Sequence, residues 1–164
     1  MNPAVLSGQS SIFITFLASF LIWIMFGGLV VLWIIDGRFK KEQALHALFA
    51  ALLAWVLSQM IKSLFPTIRP FQMYGTMPMT LLVPFDGAFP SGHTASAFGL
   101  AVSVWLHNKK IGILFVMGAI LVGLGRILGN VHFFADVVGG SLIGVVSAYL
   151  VGRLHLYKLL GRNT

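Results

Sequence analysis

The chain has no cysteine, which excludes a disulfide framework, a thiol nucleophile and a thiolate metal site. It is also poor in acid. Of the four Asp and Glu among 164 residues, only Asp86 and Asp136 are expected on the outer side, too few carboxylates for a two-metal phosphatase. Charge of either sign is sparse, at 9% of residues, and a mean hydropathy of +0.93 lies outside the range of a soluble domain. What is abundant is apolar: 58% of the residues are hydrophobic. The composition is that of an integral membrane protein, read here as one domain over residues 1–164. A formal charge of +7 does not mark a nucleic-acid partner, because the basic residues scatter through loops without an aromatic-interleaved basic stripe.

Five apolar stretches approach the roughly 20 residues of helix that a hydrocarbon layer of about 30 Å requires. They run from Ser11 to Ile35, Gln43 to Leu64, Ser91 to Leu106, Ile111 to Leu128 and Asp136 to Leu154. The expected fold is therefore all-α, a polytopic bundle of about five transmembrane helices. The first stretch has no Lys or Arg before it and exceeds a signal-peptide core of about 7–15 residues, so it is kept as a membrane helix. Phe65 to Pro90 is the one long outward connection, rich in Pro, Met and Phe. It reads as an interfacial loop or short helix between the second and third spans, a lip over a site. Gly125 with Gly129, and Gly140 with Gly144, have the small-x-x-x-small spacing that lets helices approach closely.

Short cytoplasmic loops collect Lys and Arg. Across five spans, Arg38, Lys40, Lys41, Lys109, Lys110, Arg153, Lys158 and Arg162 fall on one side. That side is expected to be cytoplasmic, with the amino terminus outside and the carboxyl terminus inside. Lys62, Arg69 and Arg126 lie at the opposite ends, against the bias. Ionisable residues in a membrane protein are costly and mark function by default.

Lys62 and Arg69 are separated by about two helical turns, with Pro66 between them ending or kinking the helix. A Lys point charge and an Arg fork together suit an oxyanion such as phosphate. Snorkelling to lipid headgroups is the plainer reading of either alone. Pro90-Ser91-Gly92-His93 opens the third span. The free amides of a helix start, the Ser91 hydroxyl and the His93 imidazole form a donor-rich cup for an anion. Ser91 as a simple cap and His93 as an interfacial histidine are the alternatives. Arg126, His132 and Asp136 complete the set. Four-residue spacing places His132 and Asp136 on one helix face if the fifth helix begins early. A carboxylate beside an imidazole fixes its tautomer, as a histidine nucleophile or base requires.

His46, His107 and His155 have no charged partner at useful spacing and read as interfacial residues. A zinc site would have to use His93, His132 and Asp136, and the nearby cations oppose it. No metal and no cofactor are expected.

Together these motifs resemble the type 2 phosphatidic acid phosphatase superfamily, whose three signatures correspond to Lys62–Pro70, Pro90–His93 and Arg126–Asp136. The resemblance covers the chain from about Gln43 onward. Two departures stand out: Gly125 occupies a position where the family usually has Ser, leaving one phosphate hydrogen bond absent or replaced, and many bacterial members have six membrane helices. The resemblance implies that His132 is the nucleophile, forming a phosphohistidine, with Asp136 orienting it. It implies that His93 protonates the leaving oxygen and then activates water. Lys62, Arg69, Ser91, Gly92 and Arg126 would bind the phosphoryl oxygens.

The implied function is a metal-independent lipid phosphatase, hydrolysing a lipid phosphate monoester or a polyprenyl diphosphate at the outer face of a bacterial inner membrane. The stretch Phe85 to Phe98 resembles small polyprenyl diphosphate phosphatases, so undecaprenyl diphosphate is a candidate. Phosphatidylglycerol phosphate, phosphatidate and lipid A phosphate remain open. The partners are then a lipid phosphate substrate and the bilayer, with no nucleic acid. Two alternatives are a lipid phosphotransferase, moving a phosphoryl or headgroup to another alcohol, and a nonenzymatic anion-binding or transport protein. The apolar helix centres argue against transport, which usually needs polar residues through the membrane depth.

Overall fold

In the computed structural model the described residues are 8–35 and 41–154. The expectations for the amino terminus, Arg38, Lys40, His155, Lys158, Arg162 and the carboxyl terminus lie outside them. Every regular element among the described residues is a helix: α1 Gly8–Ser19, α2 Leu21–Ile35, α3 Lys41–Leu64, α4 Pro70–Tyr74, α5 Gly92–His107, α6 Lys109–Leu128 and α7 Phe134–Gly152. The protein is an all-α membrane helix bundle.

Helices α3, α6 and α7 are long and apolar enough to cross a membrane, and α1 with α2 forms a fourth such unit, bent by 52°. The remaining stretch, Ser91 to Leu106, is α5. Its 16 residues rise about 24 Å, short of the roughly 30 Å hydrocarbon layer. It is the central element, packed against α3, α6 and α7. Small residues make that packing close. Ala44, Ala47, Ala51 and Ala54 form the buried stripe of α3, while Leu48, Leu52 and Trp55 face outward, the pattern of a helix with one face in a core and one in lipid.

The α5–α7 contact is closer still. A Cβ on Gly140 would stand 2.5 Å from the Ser91 carbonyl oxygen, and one on Gly144 would strike the Ala95 carbonyl and approach the Gly99 nitrogen to 2.7 Å. At the turn between α5 and α6 the Asn108 side chain accepts from the amides of Lys110 and Ile111, an N-cap that lets α6 begin at once.

The first stretch differs from expectation. It breaks at Phe20 although neither Pro nor Gly stands there. The Ala18 carbonyl accepts from Arg126 Nη1 at 2.9 Å, and the ladder resumes with Trp23 and Ile24 bonding to the Phe20 carbonyl. A side chain inserted into the ladder is a recognised cause of a bend.

His46 and His107, near the same ends of α3 and α5, pair with each other. His46 is 6% exposed, with Nδ1 at 3.3 Å from His107 Nε2 and Nε2 at 2.9 Å from the Leu154 carbonyl. His107 Nδ1 meets the Ser103 carbonyl at 2.7 Å. The pair ties the ends of α3, α5 and α7 together.

Candidate active site

The long connection after α3 folds back over the bundle end where the three motifs meet. Its short helix α4 is opened by Arg69, whose amide donates to Gln72 Oε1 at 3.0 Å. Gly75, at φ 61°, closes it in the left-handed conformation that glycine adopts without penalty. Phe65, Met77, Leu82 and Phe85 point outward from this connection, Phe85 being 96% exposed. An apolar rim of this kind suits the membrane surface.

Lys62 stands in the last turn of α3, buried. Pro66 separates it from Arg69, so the two cations reach the site from different elements rather than from one helix face. What joins them is Asp86. Its Oδ2 accepts from Lys62 Nζ at 2.7 Å and its Oδ1 from Arg69 Nη2 at 2.7 Å. Burial pushes the Asp86 carboxyl up, but the hydrogen bond from Lys62 and the charges of both cations outweigh that and hold it below the usual carboxylate range. The sequence reading counted Asp86 only as an outer carboxylate. The one signal that could have singled it out is its standing as the sole acid besides Asp136 on that side.

Arg69 is 1% exposed, and all five of its N–H donors have partners. Nε donates to the Asp86 carbonyl (2.9 Å), Nη2 to Asp86 Oδ1 and to the Gly87 carbonyl (3.0 Å), and Nη1 to the Val131 carbonyl (2.8 Å) and toward His132 Nε2 (3.3 Å). This guanidinium connects the first motif to the third.

Ser91 takes the N-cap position of α5, but its side chain makes no capping bond. Its Oγ instead accepts from Thr94 Oγ1 at 2.9 Å, leaving the Ser91 hydroxyl proton for another acceptor. Its amide donates to the Asp136 carbonyl at 3.0 Å, which locks the start of α5 to the start of α7. The first-turn amides of α5, Gly92 among them, lack intrahelical acceptors and point out of the helix start. His93 is half-buried and lines a cavity of about 450 Å³, together with Trp23, Phe26, Leu52, Trp55, Gly92 and Ser96. Arg126, His132, Lys62 and Arg69 all lie close enough to act on its charge.

Arg126 is in the last turn of α6, 5% exposed. After it the chain turns through Asn130, at φ 61°, and the Arg126 carbonyl receives the amides of Val131 (3.3 Å) and His132 (3.2 Å). Helix α7 begins at Phe134, so His132 precedes it and the two residues do not share a helix face as the spacing implied. They meet for a different reason. Asp136 occupies the first turn, where its Oδ2 accepts the Phe133 amide at 2.8 Å and stands 3.3 Å from His132 Nδ1.

The hydrogen-bond pattern assigns the proton to Nδ1, beside Asp136, and leaves the Nε2 lone pair facing the cations. Burial pulls the His132 imidazole below its ordinary value. The bond to Asp136 offsets this in part, and the positive charges of Arg126, Arg69 and Lys62 add to the lowering. The lowering favours the neutral imidazole, which is the form a nucleophile needs. All eight residues singled out from the sequence thus stand at one end of the bundle. Among the described residues, no group of three or more His, Cys, Asp or Glu converges as a metal cage would.

Comparison with known proteins points to the same stretch of chain. A family model described as the PAP2 superfamily matches residues 43–159. The bacitracin transport permease protein BcrC of Bacillus licheniformis is 32% identical over 136 residues, covering 83% of this chain and 67% of that protein. The undecaprenyl-diphosphatase BcrC of Bacillus subtilis (strain 168) is 26% identical over 127 residues, 76% of this chain and 64% of that one. The chain spans about two thirds of the length of both. The crystal structure of Aquifex aeolicus LpxE superimposes with a TM-score of 0.70 at 27% identity, covering 92% of this chain and 89% of that one.

Proposed function

This chain belongs to the PAP2 superfamily and is a membrane phosphatase, and on that premise we propose that it hydrolyses a polyprenyl diphosphate through a phosphohistidine, without a metal ion. The observation that carries the reading is the placement of His132, with Asp136 at Nδ1 and Arg69 at Nε2, among three cations. A neutral imidazole with a fixed tautomer has its free lone pair aimed where an anion would be drawn.

In this reading His132 Nε2 attacks the terminal phosphorus. The N–P bond forms as the bond to the leaving oxygen breaks, and His93 gives that oxygen a proton. The Nδ1 proton stays between His132 and Asp136, which stabilises the charge the imidazole acquires. Water then attacks phosphohistidine, His93 takes its proton, and the N–P bond breaks to release inorganic phosphate. Lys62, Arg126, the Ser91 hydroxyl and the Gly92 amide hold the equatorial oxygens, and Arg69 turns its Nη1 donor from Nε2 to a phosphoryl oxygen. This electrostatic clamp supplies the charge stabilisation that magnesium supplies in other phosphoryl transfers.

The hydrocarbon end of the substrate is supported by the apolar cavity at His93. The group that protonates the leaving oxygen in this reading lines that cavity, so the lipid moiety leaves on that side. A relative with the printed name undecaprenyl-diphosphatase favours a prenyl diphosphate over a glycerolipid phosphate. The site lies at the opposite helix ends from Lys41, Lys109, Lys110 and Arg153, and by the positive-inside rule that end faces outward across a bacterial inner membrane.

The test is phosphate release in detergent with EDTA present, from polyprenyl diphosphate, phosphatidate, phosphatidylglycerol phosphate and lipid A. Wild type should release phosphate, fastest from polyprenyl diphosphate, and His132→Ala should not. Loss of activity in EDTA, or turnover retained by His132→Ala, would overturn the mechanism.

A further inference from the structure

Arg126 and the end of α1 interlock. The Ala18 carbonyl, which in an unbroken helix would receive the amide of Ile22, receives Arg126 Nη1 at 2.9 Å instead. Gly125 makes that approach feasible. A Cβ at position 125 would stand 2.7 Å from the Ala18 nitrogen and 2.7 Å from the Leu17 carbonyl carbon. Both are backbone atoms, so a side chain there displaces α1 itself. Ala18 is 1% exposed, and a Cβ on Gly129, one helical turn after Gly125, would lie 3.4 Å from Ala18 Cβ. The same end of α1 also touches the outer connection, since Ser19 Oγ accepts the Leu81 amide at 3.1 Å.

The effect on Arg126 is directional. Its Nη1 is fixed by a carbonyl at a helix C-terminus, where the backbone dipole is negative and favours a cation. Its Nε is buried with no partner among the described residues. A buried guanidinium N–H without an acceptor is destabilising until an anion supplies one. The guanidinium is therefore held at one nitrogen by α1 and open at another.

We propose that the bent end of α1, from Leu17 to Ser19, is a positioning element for Arg126, and that Gly125 is the residue that admits it. The inference rests on the reading of Arg126 as a phosphoryl ligand. Ala18 acts through its main-chain carbonyl, fixing Nη1 so that Nε is presented to a phosphoryl oxygen. Gly125 contributes by having no side chain. Where the family resemblance places a serine, the α1 backbone fills the space that side chain would need. A brace on the arginine stands in for a direct hydrogen bond to the phosphoryl group.

Gly125→Ala pushes the α1 backbone away, and Ala18→Val presses on the adjoining contact with Gly129. Each is made in wild type and in an Arg126→Ala background, and binding of orthovanadate is measured directly, beside kcat, KM and thermal unfolding. In wild type each should weaken vanadate binding and lower kcat/KM by about tenfold or more, the worth of one charge-assisted hydrogen bond. In the Arg126→Ala background neither should weaken vanadate binding further, because no guanidinium remains to be positioned. Equal losses in both backgrounds would mean that α1 supports the fold in general, and would overturn the proposal. So would unchanged binding in the wild-type background while Arg126→Ala alone weakens it. If Arg126→Ala itself leaves vanadate binding intact, it is the phosphoryl-ligand reading of Arg126 that fails.

Discussion

Lys62 Nζ and Asp86 Oδ2 are 2.7 Å apart, and the other oxygen of the same carboxylate holds Arg69 Nη2 at 2.7 Å. An internal anion thus occupies the cations that a phosphoryl group would use. It does two opposing things: it holds both side chains in place, and it repels an incoming anion.

Asp86→Asn separates these effects. Loss of the negative charge should tighten inhibition by orthovanadate, because the anion meets less repulsion among Lys62, Arg69 and Arg126. Loss of the charge-assisted bonds should lower kcat by about tenfold, because the cations lose their fixed partner. Steady-state kinetics with a vanadate titration reads both. Weaker vanadate inhibition together with an unchanged kcat would contradict this account of Asp86.

The neutral state of His132 carries a signature in stability. Burial lowers its folded-state pKa below the ordinary value, so between about pH 6.5 and the folded value the unfolded chain binds more protons. Stability in that window rises with pH, and its contribution is lost as pH falls from about 6.5. Asp86, also lowered, acts with the same sign in a lower window, below about pH 4. His132→Asn lacks the first contribution. The melting temperature of wild type should therefore fall relative to that of His132→Asn as pH is lowered through the imidazole range. A difference that stays constant with pH would contradict it.

Gly144 makes the tightest of the glycine contacts between α7 and α5, facing the Ala95 carbonyl. Gly144→Ala should destabilise by about 1–3 kcal/mol, the usual cost of overpacking. Gly27→Ala, where a Cβ meets nothing within 4 Å, should be neutral or stabilising. Thermal unfolding of the two variants in detergent gives the comparison directly.

Much of the architecture is written in local pattern. Gln43 to Leu64 and Ile111 to Leu128 fall within α3 and α6 to a few residues, because hydropathy marks the run and Pro66, Asn108 and Gly129 end it. The three cations of the candidate site stood out for a related reason: Lys62, Arg69 and Arg126 run against the positive-inside bias. What escaped depends on partners remote in sequence. The bend at Phe20 comes from Arg126, and Arg126 bonds to a residue 108 positions away. The bridging role of Asp86 needs the outer connection folded back over α3. Nothing in the sequence around His46 announces that His107 and the end of α7 bury it. His132 and Asp136 were paired correctly for a reason that the helix start at Phe134 replaces.

The phosphohistidine is the account's central claim, and covalent trapping tests it most directly. Wild type and His93→Ala are mixed briefly with polyprenyl diphosphate in EDTA, quenched under denaturing alkaline conditions, and their peptides analysed by mass spectrometry. One added phosphoryl group should appear on the peptide carrying His132 and be absent in His132→Ala. It should persist longer in His93→Ala, which lacks the group that activates water. A protein that turns over substrate with no phosphorylated peptide in either form, or with the phosphoryl group on a residue other than His132, would contradict the account.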